Sequence, residues 1–206
     1  MLISLKGIEP IEVDKLQTQL FPIEGPLVLT PRRHSDRRGF FSETYNQGSL
    51  DKHIGRVHFV QDNHSLSAKE GTIRGLHFQT PPTAQGKLIR VPRGAIFDVA
   101  VDIRRASPTY GQHVCAIISS ENWQQLWVPA GFAHGFCTLE PNTEVIYKVT
   151  QFYSPADERG IAWNDPALGI QWPDVAKNPI LAEKDMRYPA LADIGDHFEF
   201  SAAAGD

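Results

Sequence analysis

From residue 27 to residue 172 the chain runs in short stretches where apolar and polar side chains alternate, and Gly, Pro, Asn or Asp breaks each stretch. Alternation of this kind marks β-strands, because successive side chains of a strand point to opposite faces. In the clearest case, Ala95 to Ile103, Phe97, Val99, Val101 and Ile103 share one face while Asp98 and Asp102 fall on the other. Val114 to Ser119, Phe132 to Leu139 and Thr143 to Tyr153 repeat the pattern. Many short strands at this spacing predict an all-β sandwich or barrel. Helices are expected only as short pieces, over Gln47 to His53 and Pro179 to Met186.

Composition narrows this picture. With 206 residues, 41% of them hydrophobic, the chain can bury one substantial core, and its length demands no second domain. A single domain over residues 26–188 is expected. Residues 1–25 read as an N-terminal extension and candidate oligomer contact, and residues 189–206 as a tail, partly disordered at its Ala/Gly-rich end. The formal charge of -4 lacks the basic excess of a nucleic-acid binder. No segment approaches membrane-spanning length, and the opening MLISLKGIEPIEVDK does not read as a secretory signal, so a cytoplasmic location is expected. Cys115 and Cys137 both fall in strand-like runs, where a free cysteine behaves as a small buried hydrophobe.

Several short constellations carry candidate chemistry. In Arg74-Gly75-Leu76-His77-Phe78 a histidine ends a strand, where it can serve as a base near neutral pH or as a core residue satisfied by a carbonyl. Strict alternation places Arg74 and His77 on opposite faces, so they share a pocket only if Gly75 marks a bulge. Lys87 opens an apolar strand on the same face as Ile89 and Val91, where it either meets an anionic partner or oxyanion or snorkels to water. Tyr147 and Tyr153 fall on one face of their run, as a proton donor and a stacking platform or as core packing. Arg32, Arg33, Arg37 and Arg38 precede Gly39-Phe40-Phe41, a diphosphate clamp or a solvated patch.

Pro129-Ala130-Gly131-Phe132-Ala133-His134 resembles the second motif of the cupins. At the first motif, where metal-binding cupins carry a His-x-His pair and a nearby Glu, this chain reads His77-Phe78-Gln79-Thr80-Pro81-Pro82. Two histidines fall short of the three or four convergent ligands of a divalent metal site, so no metal is expected.

Taken together, the order and wording of the motifs resemble the dTDP-4-dehydrorhamnose 3,5-epimerase family over residues 26–188. The matching strings include Arg38-Gly-Phe-Phe-x-Glu43, Gln61-Asp-Asn63-His-Ser, Arg74-Gly-Leu-His77, Gln85-Gly-Lys87-Leu, Phe97-Asp-Val-Ala-Val-Asp-Ile-Arg104, Pro129-x-Gly-Phe-Ala-His134-Gly-Phe and Tyr147-Lys.

The resemblance implies a cupin jelly roll with short peripheral helices, a homodimer, a dTDP-linked 4-keto-6-deoxy sugar as substrate, and no cofactor. It implies His77 as the base with Asp185 as its partner, Tyr147 as the proton donor, and Lys87 at the enolate oxygen of carbon 4. Arg74 and His134 would line the sugar pocket. Arg38, Glu43, Gln61, Asn63, Glu158 and Lys184 match nucleotide- and phosphate-contacting positions, and Tyr153 matches an aromatic that stacks on thymine. Phe152 departs from the pattern, standing where many relatives carry a second aromatic hydroxyl. The alternatives are an epimerase of carbon 3 or carbon 5 alone, a non-catalytic nucleotide-sugar-binding cupin, and a metal-dependent cupin oxygenase.

Overall fold

The computed structural model describes residues 16–201. Two antiparallel sheets face each other. The first has six strands in the order β1 (Leu16–Leu20), β2 (Leu27–Pro31), β11 (Gln125–Val128), β7 (Lys87–Arg93), β13 (Thr143–Val149) and β5 (Gln61–Ser67). The second has five, in the order β10 (His113–Ser119), β8 (Ala95–Asp102), β12 (Phe132–Thr138), β6 (Ile73–Gln79) and β14 (Glu158–Gly160). Neighbours in each sheet are mostly distant in sequence, as in a jelly roll. A hairpin of β3 (Arg33–Asp36) and β4 (Gly39–Ser42) stands outside both sheets, as does a small parallel pair of β9 (Arg104–Arg105) and β15 (Phe198–Glu199).

The main core lies between the sheets. Val28, Ile89, Val91, Leu126, Val128 and Val145 enter it from the six-stranded sheet, and Ile96, Ala100, Val114, Ile118, Phe132 and Phe136 from the five-stranded one. Fully burying a side chain such as Val, Ile or Leu contributes about 1.5–3 kcal/mol, so this layer dominates the stability. The alternation of β8 holds, yet its apolar face is not the one turned to the other sheet. Val99, Val101 and Ile103 pack instead beneath Ile161, Leu168 and Leu191 of the later chain. Both faces of β8 are therefore covered, and Asp98 and Asp102 are fully buried.

The helix expected at residue 47 forms as α1 (Gln47–Ile54). The Asn46 side chain accepts a hydrogen bond from the Ser49 amide at its start, Leu50 is its buried residue, and Gly55 closes it at φ +74°. The second expected helix does not form. Ile180 is held in a bridge beside Thr72, with its N–H on the Gly71 carbonyl, so the chain is pinned at a strand edge and then turns tightly over residues 183–186. The fourth expected strand stops at Val149, four residues before Tyr153.

Beyond residue 188, Leu191–Asp193 form a 3-10 turn and Phe198–Glu199 pair with β9, while residues 202–206 lie outside the described part. Of the N-terminal extension, residues 1–15 also lie outside it, and residues 16–20 form β1. Both cysteines are free thiols; Cys137 is buried as expected, but Cys115 is exposed on edge strand β10.

Candidate active site

A cleft of about 380 Å³ opens between the sheets. The five-stranded sheet lines it with Arg74, His77 and Gln79 from β6, His134 and Phe136 from β12, and Glu158 from β14. From the six-stranded sheet come Gln61, Asn63 and Ser65 of β5, Lys87 of β7 and Tyr147 of β13. Tyr153 and the turn residues Lys184 and Asp185 complete the wall.

Arg74 and His77 reach this cleft together because β6 is irregular between them. The pairing of β6 with β12 shifts register between His134 and Phe136, opposite Gly75, which sits at φ +135°. A Cβ on Gly75 would stand 2.5 Å from the Gly135 Cα, so only glycine allows the two strands this approach.

His77 Nε2 lies 2.6 Å from Asp185 Oδ1, and the carboxylate is 3% exposed. A carboxylate only accepts, so the neutral ring carries its proton on Nε2 and a free lone pair on Nδ1. The ring of Tyr188 packs against the imidazole edge-on at 5.5 Å. Burial lowers the His77 pKa below 6.5, opposed by Asp185, which favours the charged form.

Lys87 is 8% exposed, and its Nζ donates to the His77 carbonyl at 3.2 Å. Burial brings its pKa down to about 8, with Asp98 and Glu158 opposing the shift. Of the two positions that the alternation left open, the inward one is adopted and the side chain does not snorkel to water. Across the cleft, burial raises the Tyr147 pKa above its ordinary 10, so this phenol keeps its proton at neutral pH. His134 Nε2 donates to the buried Asp98 Oδ1 at 2.6 Å.

A second group of contacts surrounds Tyr153, which sits in a loop rather than on the β13 face expected for it. Its backbone N–H donates to Gln61 Oε1 at 3.0 Å, and Gln61 Nε2 in turn donates to Asn63 Oδ1 at 2.8 Å. The Tyr153 hydroxyl donates to Glu158 Oε2 at 3.0 Å, and Lys184 Nζ reaches Glu158 Oε1 at 2.5 Å. Burial pushes the Glu158 carboxyl up, but Lys184 and the Tyr153 hydroxyl outweigh it and hold the group below its ordinary range. Lys184 and Asp185 are adjacent in one turn, so that turn joins the Tyr153 group to His77.

Residues 21–193 match the sequence profile of the dTDP-4-dehydrorhamnose 3,5-epimerase family. The chain belongs to that family. It is 50% identical over 189 residues to the dTDP-4-dehydrorhamnose 3,5-epimerase of Sinorhizobium fredii, an alignment covering 92% of this chain and 96% of the relative. A crystal structure of the Bacillus anthracis enzyme with TDP and PPi bound superposes with a TM-score of 0.82 at 49% identity, covering 85% of this chain and 99% of that one. The Legionella pneumophila dTDP-6-deoxy-D-glucose-3,5-epimerase, in complex with dTDP-4-keto-L-rhamnose, gives a TM-score of 0.87 at 39% identity, covering 91% of this chain and 100% of that one.

Within this member of the family, eleven of the thirteen site residues expected from the sequence line the one cleft. Arg38 and Glu43 do not. Arg38 lies in the β3–β4 hairpin, exposed and paired with Asp36 at 2.6 Å, and Glu43 lines a small depression beside Tyr45. Among the residues that sequence reasoning missed as part of the site, Asp98 fell on the polar face of an alternating strand, Gln79 stood only as the residue in place of the second histidine of a cupin's first motif, and Tyr188 carried no pattern at all. A larger open groove of about 960 Å³ lies along residues 20–27 and Trp127, and it contains none of the expected site residues. Among the described residues, no group of three or more His, Cys, Asp or Glu side chains is placed to hold a metal ion.

Proposed function

We propose that this chain is an isomerase that inverts carbons 3 and 5 of dTDP-4-dehydro-6-deoxy-D-glucose to give dTDP-4-dehydro-L-rhamnose. The observation that carries this reading is that His77 and Tyr147 line one cleft from opposite sheets, with the buried ammonium of Lys87 in the same wall. Protons on carbons 3 and 5 flank the ketone at carbon 4, so loss of either gives an enolate whose charge collects on one oxygen. His77 takes the proton through its free nitrogen, and Lys87 neutralises the oxygen. A positioned donor of this kind is worth about 3–4 kcal/mol of barrier. Tyr147 then delivers a proton to the opposite face of the carbon, which inverts it.

Each inversion leaves His77 with one proton more and Tyr147 with one fewer. Both groups exchange with water before the second carbon reacts, and the open cleft admits that water. The reaction is redox-neutral overall: substrate and product are isomers, and the proton lost from each carbon is replaced by one delivered to its opposite face. Gln61, Asn63, Glu158 and Lys184 are assigned to the nucleotide, with Tyr153 as the platform for the base and Arg74 and His134 beside the sugar.

The reading includes a homodimer. Arg38 and Glu43 stand apart from the cleft of their own chain, and the reading has the exposed hairpin at Arg38 reach the cleft of a partner. A cytoplasmic location belongs to the same reading, in keeping with two free thiols. The test is a coupled assay with the substrate, the reductase that consumes the product, and NADPH. NADPH consumption that depends on the protein and is lost in His77→Ala supports the reading; consumption no faster than without protein overturns it.

A further inference from the structure

Gln79 occupies the place where a metal-binding cupin carries the second histidine of its His-x-His pair, two residues beyond His77 on β6. Its side chain is 4% exposed. A buried amide needs partners for both its donors and its acceptor. Here Nε2 donates to the carbonyls of Thr83 at 2.7 Å and Phe152 at 3.1 Å, while Oε1 accepts the Ser154 N–H at 2.9 Å. Two of these three partners are the backbone groups immediately before and after Tyr153.

That matters because the segment between Val149 and Glu158 belongs to no strand, and Tyr153 is half exposed at the cleft. Core packing does not fix its ring. The far end of the loop is latched separately, by the Thr83 and Ser154 hydroxyls on Asp157 Oδ2 at 2.9 and 2.7 Å. Removing Gln79 therefore frees the Phe152 carbonyl and the Ser154 N–H on either side of Tyr153, while the Tyr153 N–H on Gln61 and the latch at Asp157 remain.

We propose that Gln79 is a positioning residue for nucleotide recognition: its amide clamps the backbone on both sides of Tyr153 and holds that ring where a planar base can stack, apart from the proton transfers at His77. The proposal rests on the functional reading above, which makes Tyr153 the platform for the base. The side chain that would be a metal ligand in other cupins is thereby turned outward from metal chemistry into loop geometry.

The experiment compares wild type, Gln79→Leu, Tyr153→Ala and the double variant, reading dTDP affinity by calorimetry together with KM and kcat for dTDP-4-dehydro-6-deoxyglucose. For Gln79→Leu the dTDP dissociation constant and KM rise together, about tenfold, while kcat stays within about twofold. In the Tyr153→Ala background the same change adds nothing, because the ring it positioned is gone. A merely structural glutamine would lower kcat and the thermal midpoint with no such coupling to Tyr153. If Gln79→Leu does not fold, Gln79→Glu carries the comparison, since it keeps the acceptor for Ser154 and loses both donations. Unchanged dTDP affinity in a folded variant, or additive effects of the two substitutions, would overturn the proposal. Wild-type protein that neither binds dTDP nor turns over the sugar would instead sink the functional reading, and this inference with it.

Discussion

Nε2 of His77 and Oδ1 of Asp185 stand 2.6 Å apart, although 108 residues separate them in the chain. The histidine comes from a strand in the middle of the fold and the aspartate from a tight turn near its end, so folding alone creates the pair. Asp185 sets the tautomer of the ring and opposes the pKa depression that burial imposes. Asp185→Asn keeps the shape but can donate to Nε2, which favours the tautomer with its proton on Nδ1. We expect kcat to fall by about 10²- to 10⁴-fold with dTDP binding retained. Steady-state kinetics and calorimetry check this, and a loss of dTDP binding equal to the loss of kcat would contradict it.

The pH dependence follows from two shifted groups. His77 must be neutral to accept a proton, and its pKa lies below 6.5; Lys87 must be charged, and its pKa is about 8. The profile of kcat/KM should therefore rise through a limb below pH 6.5 and fall through one near pH 8. Activity still rising at pH 9 would show that the ammonium is not required.

Lys87 also costs the fold stability. Its pKa falls from 10.5 in the unfolded chain to about 8 in the folded one. Below pH 8 both states are protonated and the full cost of burying the ammonium is present. Between pH 8 and 10.5 the folded chain releases its proton first, so stability rises with pH over that window. Lys87→Met should then stabilise the protein at pH 7 by about 1–3 kcal/mol while abolishing most turnover. Thermal unfolding reads this, and a lowered midpoint would contradict it.

With the roles proposed above, Tyr147→Phe removes the donor and leaves the base. Proton abstraction continues, but the proton returns to the face it left. Epimerisation should slow by about 10²- to 10⁴-fold, with hydrogen exchange into the substrate slowed less. Equal loss of both would mean that Tyr147 takes part in abstraction.

Much of this was legible in the sequence. The strands at residues 95, 114, 132 and 143 and the helix at 47 follow from periodicity and turn chemistry, while alternation put Lys87 on the face of Ile89 and Val91 and left open whether its ammonium stays inside or snorkels to water. Asp98 was not legible, because alternation assumes one face in water, and in β8 both faces are covered. The turn carrying Asp185 reads as a helix locally, but the bridge of Ile180 to Thr72, a contact far along the chain, pins the segment as an extended edge just before it. Arg74 and His77 share a cleft through the irregularity at Gly75, which the sequence permits but does not require. Arg38 and Glu43 matched the family's motif and still lie away from the cleft, since a motif fixes order along the chain and not position in space.

The most direct test follows the substrate in deuterated water and locates the label by NMR. Solvent deuterium should appear at both carbon 3 and carbon 5 with wild-type protein, and at neither with His77→Ala. Label confined to one carbon would contradict double inversion, and undiminished labelling in His77→Ala would remove the base on which the account stands.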